Sequence, residues 1–168
     1  MVTFKPLELM EKKYEIDRDN FIGNGDNGKI FDLGQGRLAK VPYNGFNGQL
    51  CNGRESQFNL YNECNEQQFA IEMGIRYPAV EGIFAVKEKK SGNYYPAIVM
   101  KNLEGGIILD NLEGDILKEA LRQKDLEKEK ARELGIIIPD HHRKNSMWYN
   151  NQIWFLDAEK NVVMNEFC

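Results

Sequence analysis

Between Phe21 and Leu33 the chain runs through Gly23-Asn24-Gly25-Asp26-Asn27-Gly28, three glycines in the spacing G-x-G-x-x-G. Glycine serves where backbone approaches a bound group closely or takes positive φ. The residues after the glycines constrain the fold most. A helix start there belongs to the dinucleotide-binding arrangement. Lys29-Ile30-Phe31-Asp32-Leu33 instead alternates and carries no helix start, so the loop joins two strands, the first marked by Phe21-Ile22. Arg37 to Tyr43 reads as a third strand, reached through a tight turn at Gly34-Gln35-Gly36. By itself the motif is also an ordinary Gly-rich hairpin turn, so its meaning depends on what else the chain carries.

The remaining pattern predicts an α+β chain. Asn44 to Gly53 is a loop rich in Gly and Asn. Glu55 to Met73 reads as a helix with Phe58, Tyr61, Cys64, Phe69 and Met73 roughly on one side, stopped by Gly74. Gly82 to Lys87 and Tyr94 to Met100 are strands around a solvated turn, Lys89 to Asn93. Composition shifts at Gly105-Gly106. Asp115 to Leu134 is charged and helical, with a break expected near Lys124 and a stop at Gly135. Ile136-Ile137-Ile138 opens a buried segment, and Ser146–Tyr149 with Ile153–Leu156 reads as a hairpin across Asn150-Asn151. The expected architecture is a five-stranded antiparallel sheet with one helix, then a reduced lobe of one or two helices and a hairpin. It forms a single domain, with an N-lobe over about 1–100, a hinge over 101–106 and a C-lobe over 107–168.

Composition narrows the classes. With 168 residues and 42% hydrophobic content the chain can bury one core. No run of 18 apolar residues spans a membrane, and residues 1–10 lack the basic and apolar blocks of a secretory signal. Cys51, Cys64 and Cys168 are far apart, without a C-x-x-C pair, which speaks against a disulfide framework or a zinc site and for a reducing compartment. A formal charge of −4 disfavours non-specific nucleic-acid binding. Cytoplasmic localisation is the expectation.

Two further clusters bear on chemistry. Lys40 lies in Leu38-Ala39-Lys40-Val41, on the strand after the glycine-flanked hairpin, where its ammonium can meet phosphate as a point charge. Asp140-His141-His142-Arg143-Lys144-Asn145 gives D-x-x-x-x-N, and Asp157 follows at the end of the apolar Trp154-Phe155-Leu156. A lone Asp closing an apolar strand asks for a partner or a metal. Two carboxylates and an amide in this order suit phosphoryl transfer: Asp140 to orient an acceptor hydroxyl, Asn145 and Asp157 to hold magnesium.

Together these residues resemble the protein-kinase-like superfamily, from about Phe21 to Lys160, in a form like the truncated bacterial effector kinases. The catalytic loop is also similar to that of aminoglycoside phosphotransferases. The resemblance implies ATP and Mg2+ as cofactors, covered by the loop with Gly23, Gly25 and Gly28 and held by Lys40. It implies a hinge at Val99 to Gly106, with Met100 as gatekeeper and Asn102 and Leu103 meeting the adenine. Ile30, Leu38 and Met147 would sandwich the ring. A glutamate on the first helix would pair with Lys40; Glu66 is preferred because Phe69, Ala70 and Met73 follow it at the family's apolar spacing, and Glu63 is the alternative.

The pattern departs from the family in several places. Ile138-Pro139-Asp140 replaces His-Arg-Asp, so a phosphorylated activation loop has no arginine to receive it. Asp157-Ala158-Glu159 stands for Asp-Phe-Gly, without its glycine. Only eleven residues follow Asp157, so the activation loop and later large-lobe helices are expected to be missing. His142 matches the histidine of aminoglycoside phosphotransferases; a metal site at His141-His142 lacks supporting ligands. The expected activity is a minimal Ser/Thr protein kinase. Its partners would be a protein substrate and an activating host protein, with no nucleic acid or membrane; one route to a host cytosol is a specialised secretion system. The alternatives are a small-molecule phosphotransferase and a nucleotide-binding pseudokinase that acts as a partner-binding module.

Overall fold

The computed structural model describes residues 7–11, 14–24, 28–44, 47–138 and 143–156. The chain divides into two compact units, Met1–Asn65 with Ala79–Asn102 and Glu66–Pro78 with Leu103–Cys168. The first unit holds six strands: β1 (Tyr14–Ile16), β2 (Phe21–Asn24), β3 (Gly28–Gly34), β4 (Arg37–Pro42), β5 (Val80–Glu88) and β6 (Tyr94–Lys101). Their order is β1-β5-β6-β4-β3-β2. Strands β2 to β6 pair antiparallel, and β1 adds a parallel edge against β5, Tyr14 opposite Val86. The five-stranded expectation is corrected to six. A three-residue strand offers no alternation to read, and its partner lies about 70 residues away in the chain.

Alternation along β3 and β4 creates two different faces. Phe31, Ala39, Val41, Val86, Tyr95 and Ala97 form one core with Ile16 of β1. On the other face Ile98 and Met100, with Leu38, Val80 and Ile83 beside them, pack against Leu60 and Cys64 of the helix α1 (Arg54–Glu72). The β3–β4 turn uses left-handed backbone at Gly34, Gln35 and Gly36, with φ of 72°, 52° and 72°. The Asp32 carboxylate accepts from the Gly34 N–H at 2.7 Å, which fastens that turn.

The face of α1 differs from the one read in the sequence. Leu60, Tyr61, Cys64, Gln67 and Ala70 are buried, whereas Phe58, Phe69 and Met73 are 58%, 38% and 37% exposed. Gln57 and Gln67 hold inward positions because their amides reach backbone acceptors, Asn52 O at 3.0 Å and Pro78 O at 2.9 Å. A buried amide with a partner is tolerated in a helix face that apolar counting assigns elsewhere.

In the second unit, α2 (Gly114–Glu133) runs unbroken, which corrects the expected break near Lys124. Lys124 is instead buried, with Ala120, Glu127 and Ala131. Arg76 pairs with Glu127 at 3.2 Å, and Lys130 Nζ donates to Gly74 O at 2.7 Å, so α2 holds the segment after α1. Strands β7 (Ile107–Ile108), β8 (Ser146–Tyr149) and β9 (Gln152–Phe155) form a sheet in the order β7-β8-β9. The β8–β9 hairpin turns at Asn150 and Asn151, both left-handed at φ 51° and 57°, as a two-residue turn of matching twist requires. Among the described residues, no helix is long and apolar enough to cross a membrane.

Both helices end in the same way. Gly74 (φ 83°) donates to Ile71 O at 2.9 Å and Ile75 to Ala70 O at 2.9 Å. Gly135 (φ 72°) donates to Arg132 O at 3.0 Å and Ile136 to Ala131 O at 2.8 Å. Each is the paired capping pattern that satisfies the last carbonyls, and each sends an isoleucine into a core against an alanine. Ala70, Ile75, Ala131 and Ile136 all belong to one cluster with Tyr77, Ile138 and Phe155. Gly135→Ala is expected to destabilise the protein by about 1–2 kcal/mol, the left-handed penalty of an L-residue, as read by urea denaturation.

Candidate active site

Lys40 lies at the centre of the first unit's sheet. On β4 it stands opposite Ile30 of β3 and Ile98 of β6. Its neighbours Ala39 and Val41 are fully buried on the other face, so the strand cannot rotate the lysine outward. Only 3% of Lys40 is exposed, and its Nζ donates to Glu63 Oε1 at 2.6 Å. Glu63 is 6% exposed and projects from α1 beside Leu60 and Cys64. The helix residue that meets Lys40 is therefore Glu63, one turn before Glu66, and the preference for Glu66 is corrected. That preference rested on Phe69, Ala70 and Met73 marking the inward face; Ala70 is buried, but Phe69 and Met73 are exposed. Glu66 is half-buried and has interactions of its own.

The glycines divide in role. Gly23 lies on β2 opposite Ile30, with open space where a Cβ would project. Gly28 opens β3 opposite Pro42, on the face that carries Lys40. A Cβ there would come within 2.6 Å of Lys40 Cγ and 2.7 Å of Cε. Glycine at 28 is thus the space in which the lysine stem lies. Gly25 lies outside the described residues.

Leu38 and Met100 face each other across β4 and β6 on this same face, Leu38 half-buried and Met100 buried. Asn102 is half-buried, and its N–H donates to Gly36 O at 2.8 Å. That N–H is committed to the β3–β4 turn. Leu103 is buried in the second unit and begins a turn closed by Gly106 N–H on Leu103 O at 3.0 Å, with Gly105 at φ 79°.

In the second unit Met147 is half-buried on β8, opposite Trp154, and its thioether fills the space beside Gly106. Asn145 ends the short turn Arg143–Asn145, and its carbonyl accepts from Leu156 N–H at 3.0 Å. The residue immediately before Asp157 is thereby bonded to Asn145. Asp140 and Asp157, together with His141 and His142, lie outside the described residues. Among the described residues no group of three or more His, Cys, Asp or Glu gathers as a metal site.

The buried pair sets the local electrostatics. Burial, and then the charge of Glu63, pushes the neighbouring Cys64 thiol up to about 12. A buried lysine and glutamate hold each other in place rather than adding much stability, but either alone is costly. Glu63→Gln is expected to destabilise the fold by about 3 kcal/mol, and Lys40→Met with Glu63→Leu together to recover most of that loss, as measured by urea denaturation. Iodoacetamide at pH 8 should label half-exposed Cys51 and leave Cys64 unlabelled until the chain is unfolded, as read by peptide mass mapping.

No protein-family model and no curated protein sequence matches the chain. Solved structures do. A high-resolution crystal structure of WbdD superposes with a TM-score of 0.57 at 16% identity, covering 88% of this chain and 34% of that one. A co-crystal of WbdD with the kinase inhibitor LY294002 gives 0.57 at 17% identity over 85% of this chain and 33% of that one. A third, of the bifunctional kinase-methyltransferase WbdD, gives 0.55 at 17% over 84% and 31%. This chain spans about a third of the length of those chains. The likeness is one of fold.

Proposed function

We propose that the chain is an ATP- and magnesium-dependent phosphotransferase, acting as a minimal Ser/Thr protein kinase. One observation carries this reading. A lysine on a central strand is buried, held by a helix glutamate at 2.6 Å, and laid over a glycine that begins the strand after the Gly-rich loop. A buried ammonium fixed in this way has no packing advantage over an apolar residue. Its use is to hold a positive charge at one point, where phosphate oxygens can meet it.

The residues present fit a nucleotide phosphate on two counts. The ammonium is preorganised by Glu63, and the space around Lys40 excludes any side chain at Gly28. ATP supplies the phosphoryl group, and magnesium would neutralise its oxygens, held by Asn145 and Asp157. Lys40 binds phosphate oxygens and Glu63 orients Lys40. Asp140 would accept the proton of the acceptor hydroxyl as that oxygen bonds to phosphorus and the bond to the leaving diphosphate breaks. Leu38 and Met100 offer an apolar surface on the same face as Lys40.

A second reading takes a small-molecule alcohol as acceptor. The spacing of His142 two residues after Asp140 favours it, since aminoglycoside phosphotransferases resemble the chain there. The test is transfer of labelled γ-phosphate by the purified chain with magnesium, offered protein acceptors, a cell extract and a panel of small alcohols. Wild type should transfer label, and Lys40→Met, Asp140→Ala and Asp157→Ala should each lower the rate by about a hundredfold or more. The labelled species identifies the acceptor class. Magnesium-dependent ATP binding without transfer in any mixture would replace this reading with a nucleotide-binding partner module. Absence of ATP binding by a folded chain would end it.

A further inference from the structure

The sheet face turned away from α1 carries a second concave site. A cavity of about 180 Å3 lies there, lined by Arg18, Phe21, Lys29, Phe31 and Leu50. Phe31 is its buried floor and half-exposed Phe21 a wall, with ring centroids 5.9 Å apart in an edge-on arrangement. Lys29 and Phe31 alternate along β3 with Gly28 and Ile30, which face Lys40. The cavity therefore does not belong to the Lys40 site.

Two cations border this apolar space. Lys29 Nζ donates to Gly48 O at 2.6 Å and lies 6.0 Å from the Phe21 ring centre and 5.6 Å from that of Tyr43. An ammonium has three donors, and among the described residues no carboxylate pairs with this one. Arg18 uses Nε on Glu88, and its two terminal nitrogens have no hydrogen-bond partner among the described residues. Glu88 is buried and also accepts from Ser91 Oγ, so its charge is answered. Asp17 pairs with Lys89 at 3.6 Å. The cavity rim is left with the Lys29 ammonium and the terminal guanidinium nitrogens of Arg18 over aromatic walls.

We propose that this cavity binds an aromatic monocarboxylate. The ring lies against Phe21, Phe31 and Leu50, and the carboxylate lies between the Lys29 ammonium and the terminal guanidinium nitrogens of Arg18. The size is suitable, since a protein cavity of about 150 Å3 accepts a benzene ring. Planar carboxylates match the guanidinium fork, and the aromatic walls select an apolar body over acetate. The inference does not depend on phosphoryl transfer.

The test uses the full chain and phenylacetate as probe, with phenylacetamide and acetate beside it, followed by calorimetry and ligand-observed NMR. Phenylacetate should bind saturably below about 10 mM, and phenylacetamide and acetate each at least about tenfold more weakly. Lys29→Met keeps the stem and removes the charge, and should weaken phenylacetate by about tenfold. Leu50→Trp fills the cavity and should abolish binding, with thermal unfolding showing that both variants are folded. A folded wild type that shows no saturable binding would overturn the proposal. So would equal binding of phenylacetamide, or unchanged binding in folded Lys29→Met and Leu50→Trp.

Discussion

The contact between Lys40 and Glu63 ties the first unit's sheet to its helix. Neither group gains by leaving water, and each is tolerated inside only because the other is there. Everything around them serves that closeness. Ala39 and Val41 anchor β4 from behind, Ile30 and Ile98 flank the lysine along the sheet, and Leu60 and Cys64 set α1 at the distance from which a glutamate reaches an ammonium. A pair of leucines would fill the same space with less penalty, so stability alone does not account for the ionic arrangement.

The helix caps show a second economy. Two helices of different composition, one rich in Asn and Gln and the other in Lys and Glu, stop with the same Ala-x-x-x-Gly-Ile pattern. The glycine supplies the left-handed turn and the isoleucine supplies the anchor. Because both isoleucines enter one cluster, the stop of each helix is also a core contact of the second unit. Ending the helix and packing the chain are a single event at each place.

Much of this was legible in the residues. Alternation at Lys29 to Leu33 and Arg37 to Tyr43 gave a β hairpin and put Lys40 on a central strand. Asn150-Asn151 between apolar runs marked a hairpin, and Gly74 and Gly135 marked helix ends. Other features were hidden for physical reasons. β1 and β7 are too short to carry a period, and their pairing depends on segments far off in the chain. The inward side of α1 was misread because two glutamines are buried, their NH2 groups bonded to backbone carbonyls, while two phenylalanines face solvent. Glu63 and Glu66 differ by one turn, and only knowledge of that side separates them. Asp140 and Asp157 rest on spacing and resemblance alone. The cationic rim of the outer cavity has no linear signature, since Arg18, Lys29 and Leu50 converge only in three dimensions.

Gly28 and Lys40 occupy one volume between them. A methyl group at 28 would stand within 2.6 Å of the Lys40 stem, so a side chain at 28 can enter only if that stem shifts. A shorter residue at 40 would open the same gap without altering the strand. The glycine thus marks the course of the Lys40 stem rather than the strand that carries it.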